Sequence, residues 1–332
     1  MRLYVKIFAF MLCVGILPLG IMGGYSLLHV EKDIQAAKDQ ALLSLGTEVA
    51  KEIGRTVQNA YSGVLMLAQN PLITSRLSDP KEVRVELEKT QKFYPILKDL
   101  TLLSTEGEVR ASVFYSFRGS WRATSWFKTA LAGKSVLTEV HSVLYPFDVV
   151  MTIATPIKDQ QGAIQAVLSG QIDMRSIWKI TDEVSLGAKG EVTVVDGRGF
   201  IVASKDKDRL LDSFPHDPLS RPISTGNSLV ETFVDNGESW LAASVPLKKV
   251  APEGIQPSWT VVLMQPASEA YAAVYRSRQG LFLAGIVSLL AIGIVCTVLS
   301  RQISSRISSL VAATRKLGSG DFGARMKNLG RD

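Results

Sequence analysis

Two long stretches without a charged residue constrain this chain more than any other feature. One runs from Ile7 to Val30 and the other from Gln279 to Ser300, which makes them 24 and 22 residues long. Each exceeds the roughly 18–20 apolar residues that a helix needs to cross the hydrocarbon core of a bilayer. The sequence therefore predicts two transmembrane helices, at residues 7–28 and 280–300, with most of the chain between them.

The excess positive charge lies on the outer flanks of these two stretches. Of the net charge of +6, residues 1–28 contribute +2 and residues 301–332 contribute +5, whereas residues 29–279 carry −1. Basic flanks mark the cytoplasmic side of membrane helices, so we expect a two-pass protein of the cell (inner) membrane with both termini in the cytoplasm. The net positive charge of the chain is therefore explained by its orientation in the membrane. Because no basic stripe interleaved with aromatic residues is present, we expect no nucleic-acid partner.

The first apolar stretch also resembles a secretory signal peptide, with small residues near Gly20 to Gly24. Its apolar core is longer than the roughly 7–15 residues of a signal peptide, which favours an uncleaved anchor.

Both cysteines, Cys13 and Cys296, fall inside the apolar stretches. The central portion therefore has no thiol with which to form a disulfide, and its fold must rest on apolar burial.

The chain shows no constellation of residues typical of an enzyme or a metalloprotein. The three histidines are isolated and no HExxH or Cys-His cluster occurs, so we expect no metal and no cofactor. No GxSxG nucleophile motif is present, and no cysteine is available outside the membrane as a nucleophile.

Helical periodicity follows the first apolar stretch, and strand patterns follow the helices. From Ala41 to Leu67, apolar residues recur in seven steps over 26 residues, close to the 3.6-residue helical period. We predict one long helix from about Glu31 to Gln69, ended by Asn70-Pro71, and a second helix at 80–92.

The strand region contains an internal repeat. Shifted by 92 residues, 99–113 and 191–204 align Thr101 on Thr193 and Gly107 on Gly199, and 152–159 and 241–249 align their prolines at a shift of 90. Each hairpin is followed later by a strand-turn-strand unit. The sequence therefore predicts an α+β fold with two successive antiparallel-sheet modules.

After the second apolar stretch, apolar positions follow heptad spacing until a Gly-Ser-Gly stop. This pattern predicts a short cytoplasmic helix that continues the membrane helix and pairs with a second copy, which makes a homodimer the expected assembly. The seam residues are Ile303, Ile307, Leu310, Thr314 and Leu317.

This arrangement resembles the bacterial double Cache transmembrane sensor receptors. The resemblance rests on Trp126-Phe127-Lys128 with Ala130, matching an aromatic helix of that family, and on 151–173, matching its two closing strands. Residues 304–322 resemble the start of a HAMP linker, although Arg306 stands where a proline is common. The resemblance implies PAS-like modules and the following division: cytoplasmic N-terminus 1–6, transmembrane helix 7–28, extracytoplasmic sensor 29–279 (long helix 31–76, membrane-distal module 77–185, membrane-proximal module 186–268), transmembrane helix 280–300 and partial HAMP linker 301–332.

The resemblance also implies a function. A small extracytoplasmic ligand would bind in the membrane-distal module and displace the second membrane helix, which would signal through the HAMP linker to a kinase, chemotaxis or cyclase output beyond residue 332. Two other functions stay open at this stage: a membrane-anchored extracytoplasmic enzyme, and a scaffold that binds a protein partner.

The same resemblance indicates where the ligand binds. The amino-acid-binding branch uses an Arg two residues before the Trp and an Asp that ends the last strand; Trp126 and Asp173 match, whereas Thr124 replaces the Arg. Without that Arg the two-donor grip on a carboxylate is missing, which argues against amino acids. Trp126 could instead be a core aromatic, Asp173 a helix N-cap, and we expect Asp148 to be a solvated turn residue. The candidate ligand-binding residues are Trp126, Asp173, Arg122, Tyr115, Trp121 and Tyr145.

Overall fold

The structure is a computed structural model, and it divides into two compact units. The first comprises Met1–Ala37 with Tyr271–Asp332, and the second comprises Lys38–Ala270. The residues described are 2–77, 79–114, 120–144, 147–215, 227–235, 237–250 and 257–318.

The N-terminal half of the fold is dominated by one helix. Helix α1 runs without a break over Arg2–Ala68 and includes Pro18, so the expected membrane helix and long helix are continuous. It ends just before Asn70-Pro71, as predicted, and the Asn70 side chain caps α2 (Pro71–Thr74) by accepting from Leu72 N at 3.0 Å. Helix α3 (Pro80–Phe93) begins at a proline after the N-cap Asp79, which confirms the second predicted helix.

The first module is a six-stranded antiparallel sheet in which β1 and β6 pair at the centre. Its strand order is β2-β1-β6-β5-β3, with β4 also paired to β5. Helix α4 follows β2 and helix α5 follows β6. The bounds are β1 Leu97–Leu103, β2 Val109–Ser112, α4 Ser125–Leu131, β3 Val136–Leu137, β4 His141–Leu144, β5 Phe147–Lys158, β6 Ile164–Asp173 and α5 Met174–Asp182.

The second module repeats this topology with five strands, in the order β8-β7-β11-β10-β9. A single 3-10 turn at Lys207–Arg209 follows β8, and a short helix α6 follows β10. The bounds are β7 Glu191–Val195, β8 Ile201–Ala203, β9 Leu229–Asp235, β10 Glu238–Pro246, α6 Leu247–Val250 and β11 Thr260–Pro266.

Hydrogen bonds confirm the alignment of the two hairpins at a shift of 92 residues. In the first turn, the Ser104 hydroxyl accepts from the backbone N–H groups of residues 106 and 108 at 3.2 Å each. In the second, the Asp196 carboxylate accepts from those of residues 198 and 200 at 2.9 Å each. Gly107 and Gly199 both have positive φ, 83° and 89°, which a residue with a side chain rarely adopts.

Both sheets pack one face against α1, and a glycine permits each close approach. A Cβ on Gly170 of β6 would lie 2.6 Å from Val64 of α1. A Cβ on Gly46 of α1 would lie 2.8 Å from Leu263 of β11. The opposite face of each sheet, here called its outer face, therefore points away from α1, because alternate residues of a strand point to opposite sides.

The C-terminal part begins directly after β11. Helix α7 (Ala267–Ala270) follows the strand, and α8 then runs continuously over Ala272–Gly318, so the heptad tail continues the apolar helix as predicted; the predicted stop after Gly318 lies outside the described residues. Among the described residues, Phe282–Ala312 is the one helical segment long and apolar enough to span a membrane. The apolar helical segment near the N-terminus is shorter, Phe8–Pro18.

The candidate ligand site

The outer face of the first sheet carries polar side chains on five strands; most of them are buried, whereas His141 and Gln171 are half-buried. Opposite residues of an antiparallel pair share a face, so Thr101 and Ser169 lie side by side, as do Thr152 and Gln171. Core strands usually present apolar groups here, and polar groups that are buried need hydrogen-bond partners. This polar floor consists of Asp99, Thr101, Ser112, His141, Thr152, Ser169 and Gln171.

Asp99 is the centre of the polar floor and is 5% exposed. Its carboxylate accepts from Thr101 Oγ1 at 2.8 Å, from Ser112 Oγ at 3.1 Å and from Phe114 N at 3.0 Å. Three donors, from β1, from β2 and from the residue two positions after β2, hold the carboxylate in one position. Such a satisfied network is rigid, which suits a surface against which a ligand is oriented.

His141 of β4 lies at the other side of the floor. Its Nε2 is 3.4 Å from Thr152 Oγ1, and its Nδ1 is 3.4 Å from Thr138 Oγ1 and 3.1 Å from the carbonyl oxygen of Glu139. The ring is therefore oriented by polar groups on both sides. A hydroxyl and an imidazole can each donate or accept, so this side of the floor suits either kind of ligand group.

An aromatic pair borders the floor on helix α4 and the turn before it. Trp121 and Trp126 have ring centroids 5.5 Å apart, and both pack against a buried cluster that includes Phe127 and Val167. Trp126 is only partly buried. It thus packs against the core and is still partly exposed, and aromatic side chains are common walls of small-molecule sites.

A group of four charged residues lies at the end of β6. Asp173 caps α5 by accepting from Arg175 N at 3.0 Å, and the Arg175 guanidinium also binds its carboxylate at 2.7–3.0 Å. Asp148 of β5 pairs with Lys98 Nζ, and Arg175 Nη2 lies 4.0 Å from it. Asp173 is therefore an N-cap, as one of the two interpretations predicts, and both acids already have cationic partners.

The prediction for Asp148 was wrong. It lies within β5 with a side chain 17% exposed, because the strand begins earlier than the sequence indicates. Burial alone raises the pKa of this carboxyl, but the hydrogen bonds from Lys98 and from Val149 N, with the charges of Lys98 and Arg175, lower the pKa below its ordinary value.

The remaining predicted residues are only partly placed. Arg122 is exposed in the turn before α4, and its backbone N–H donates to Ser120 Oγ at 3.3 Å. Thr124, at the position of the family's Arg, donates its hydroxyl to the carbonyl of Trp121 at 2.8 Å, so it makes a local contact. Tyr115 and Tyr145 lie outside the described residues.

The sequence interpretation missed the polar floor. The alternation of Asp99 and Thr101 with apolar Leu100 and Leu102 was a visible signal that one face of β1 is polar. That this face meets Ser169 and Thr152 depends on strand order and register, which the local pattern does not contain. Within the described residues, no group of three His, Cys, Asp or Glu side chains could hold a metal ion.

The fold and the site define a sensor module of a known class. Residues 30–274 match the Cache domain family and residues 298–332 match the HAMP domain. Since the first match covers well over half of the chain, the chain belongs to the Cache domain family, with a HAMP domain after it. This confirms the resemblance and the α+β fold of two tandem antiparallel sheets.

Individual relatives agree with this assignment. The chain is 25% identical over 297 residues to the methyl-accepting chemotaxis protein PctB of Pseudomonas aeruginosa, which covers 86% of this chain and 45% of that protein. It therefore spans less than half the length of that relative.

Solved structures show the same fold. The ligand-binding domain of the Pseudomonas fluorescens chemoreceptor CtaA with L-isoleucine matches at a TM-score of 0.57 and 18% identity, covering 74% of this chain and 99% of that one. The ligand-binding domain of PctB of Pseudomonas aeruginosa with L-Arg matches at 0.56 and 21%, covering 70% and 97%.

Proposed function

We propose that this chain is the sensor portion of a two-pass membrane receptor that binds a small extracytoplasmic ligand on the outer face of the first sheet. The observation that carries this proposal is the polar floor, in which buried hydroxyls and a carboxylate are gathered beside Trp126 on one face of the sheet. A polar surface of this kind orients a polar ligand, while the indole supplies apolar contact. The site residues are Trp126, Asp173, Trp121, Arg122, Tyr115 and Tyr145, together with the floor.

The ligand we propose is a small polar molecule of amino-acid size, held without the arginine fork of the amino-acid-binding branch. PctB and CtaA bind L-Arg and L-isoleucine in the structures named above. In this chain Thr124 replaces the arginine, and the nearby cations Lys98 and Arg175 are paired with Asp148 and Asp173. Recognition would therefore rest on the floor's hydrogen bonds more than on a carboxylate clamp.

Signal transmission would follow the chain from β11. The strand continues through α7 into the single helix α8, which contains the apolar segment and the start of the HAMP match. Glu269 of α7 accepts from Ala188 N at 2.9 Å and so ties this helix to the connection between the two modules. A ligand that binds one arrangement of the sheets more tightly would shift the equilibrium toward the position that α8 has in that arrangement. The size of the shift is set by the difference in binding free energy between the two arrangements, typically about 1–3 kcal/mol.

The membrane arrangement belongs to the same proposal. Residues 7–28 and 280–300 cross the bilayer, residues 29–279 stand outside with the first module (77–185) distal and the second (186–268) proximal, and residues 301–332 start the HAMP linker of a homodimer. The charge asymmetry of the sequence supports this orientation. A cysteine placed at exposed Lys205 in a cysteine-free chain should react with an impermeant maleimide in cells whose outer barrier is opened; labelling only after lysis would contradict the orientation.

A thermal-shift screen of residues 30–275, which include the compact unit Lys38–Ala270, tests the ligand site. A ligand at a hundredfold excess over its Kd should stabilise the fragment by about 2.7 kcal/mol. This shift should vanish in Trp126→Ala and Asp173→Ala and persist in Trp240→Ala, which alters a partly buried tryptophan of the second sheet. If both first-sheet variants keep the full shift, the ligand does not bind at the proposed site.

A further inference from the structure

We propose that helix α5 and the loop after it carry the signal from the ligand site of the first sheet to helix α7 of the second module, with Trp178 and Glu269 as the positioning residues. The inference rests on the proposed function, because it starts at Asp173, one of the proposed site residues. It adds the physical connection between that site and the end of β11, where the chain continues through α7 into α8.

The first turn of α5 is held by a pair of residues that a ligand at Asp173 must disturb. Arg175 makes four contacts with the Asp173 carboxylate at 2.7–3.0 Å: its N and Nε contact Oδ1, and its Nε and Nη2 contact Oδ2. An ionised carboxylate has about four lone-pair sites, so Arg175 occupies them all. A ligand group that donates to Asp173 therefore displaces Arg175, and this change occurs at the N-terminus of α5.

Helix α5 follows the last strand of the first sheet but packs against both modules. It contacts β5 of the first sheet and β7 and β8 of the second. Its buried side chains, Met174, Ile177 and Thr181, recur at intervals of three and four residues and so lie on one face of the helix. A short helix packed along one face is a rigid element, so a shift of its first turn reaches its other end.

Trp178 attaches the second half of α5 to the second sheet. Its indole Nε1 donates to the carbonyl oxygen of Val202 in β8 at 2.9 Å, and Lys207 Nζ lies 5.5 Å from the centroid of its ring. The same ammonium group pairs with Asp182, the last residue of α5, at 2.8 Å and donates to the carbonyl oxygen of Ser204 at 2.6 Å. A tryptophan combines a large apolar surface with one directional donor, so these contacts fix the orientation of α5 on β8.

The loop after α5 is hydrogen-bonded to helix α7 through Glu269. The Oε2 atom of Glu269 accepts from Ala188 N at 2.9 Å and from Lys189 N at 3.4 Å. Gly187 has a φ of 77°, and a Cβ at this position would overlap the same carboxylate oxygen, so the close approach requires a glycine. Because α7 lies between β11 and α8 in the chain, a movement of this loop displaces the segment that leads into α8.

The test needs no ligand, because Arg175→Ala removes the side chain that a ligand would displace. The full chain of 332 residues in detergent micelles is studied by millisecond hydrogen exchange with mass spectrometry. The exchange of the Ala188 and Lys189 amides is measured, and Glu269→Ala gives their rate without the bond to α7. We expect Arg175→Ala to speed this exchange by about fivefold or more, the lower end of typical couplings between two sites.

Two further substitutions in α5 make the test specific. In a Trp178→Leu background, Arg175→Ala should no longer change the exchange rate, since α5 has lost its attachment to β8. Trp178→Phe, which keeps a ring and loses the hydrogen bond to Val202, gives the same comparison at a smaller cost in packing. The matched control is Lys179→Ala, which removes another exposed cation of α5, paired at 3.8 Å with Glu183, and should leave the rate unchanged.

Three results would overturn the inference: an unchanged rate in Arg175→Ala, an equal acceleration in Lys179→Ala, or an acceleration by Arg175→Ala that persists in both Trp178 backgrounds. In the last case the signal would travel through another element, such as α1. Each of these results leaves the ligand site intact, because the thermal-shift screen measures binding and not transmission. A screen that finds no ligand would contradict the proposed function without altering these exchange rates.

Discussion

The two sheets share one topology but differ in how their outer faces are satisfied. In the first sheet, a hydrogen-bonded set of hydroxyls surrounds Asp99. In the second, the corresponding surface is an apolar cluster with Phe233 and Met264, and its polar groups lie at the edge of a cavity. The two modules thus share the turns and the strand order, which determine the fold, whereas the side chains on their outer faces differ and can change independently of the fold.

The largest expected difference in stability is between substitutions of Asp99 and Glu191, the two acids at corresponding positions of the repeat. Asp99→Ala removes the acceptor of three buried donors and should lower the free energy of unfolding by about 2–4 kcal/mol. Glu191→Ala removes a partly exposed ion pair and should change it by about 1 kcal/mol or less. Urea denaturation of residues 30–275 measures both. Equal losses would mean that the two acids have the same structural role.

The glycines at the two contacts between α1 and the sheets, Gly170 of β6 and Gly46 of α1, give the next contrast. Gly170→Ala would press a Cβ against the stiff, β-branched Val64 and should destabilise the fragment by about 1–3 kcal/mol. A Cβ on Gly46 would meet the flexible end of Leu263 at 2.8 Å and a methyl group of Val245 at 3.0 Å, and Gly46→Ala also gains helix propensity, so its net loss should be the smaller one, about 1 kcal/mol. The same denaturation experiment compares them. A greater loss for Gly46→Ala would contradict this account of the two contacts.

The same substitution at the two corresponding threonines, Thr101 and Thr193, should have different effects on the free energy of unfolding. Thr101→Val deprives Asp99 of a donor and should lower the free energy of unfolding by about 1–2 kcal/mol. Thr193→Val replaces a buried hydroxyl that lacks a partner among the described residues, so stability should be unchanged or rise by about 1 kcal/mol. Both substitutions nearly conserve volume, which makes them matched controls. Destabilisation by Thr193→Val would show that its hydroxyl is satisfied in solution.

The smallest expected effect is a pH dependence that comes from Asp148 of the first sheet. The pKa of Asp148 is lowered in the folded state, so its contribution is complete above its ordinary value of 3.8 and is lost as the pH falls through the folded pKa. Lys98→Met should therefore flatten the loss of stability that occurs as the pH falls below about 4, by about 1 kcal/mol or less. If the stability of the unaltered protein and that of Lys98→Met fall in parallel as the pH is lowered, the Lys98–Asp148 pair is not the source of the pH dependence.

The sequence predicted much of this fold from local patterns. Helix α1 ends just before Asn70-Pro71, as expected, and the shift of 92 residues located the second hairpin because turn glycines and their polar caps are local signals. The first membrane helix was predicted from its lack of charge and stays a prediction, since the described apolar helical segment there is short.

The sites were less accessible to sequence reasoning. Trp126 and Asp173 were singled out by resemblance, and the structure places both beside the outer face of the first sheet. Asp99 was missed because its partners, Ser112 and Phe114, become neighbours only through strand pairing. Asp148 was misplaced for the same reason, since Lys98 lies 50 residues away in sequence. Pairings of this length are set by tertiary packing, which a local pattern does not encode.

The most direct test of the account is a crystal structure of residues 30–275 bound to a ligand from the thermal-shift screen. We expect that ligand on the outer face of the first sheet, in contact with Trp126 and hydrogen-bonded to the floor around Asp99 and Thr152. Density for it elsewhere, with the outer face of the first sheet filled by the protein's own side chains, would contradict the central claim.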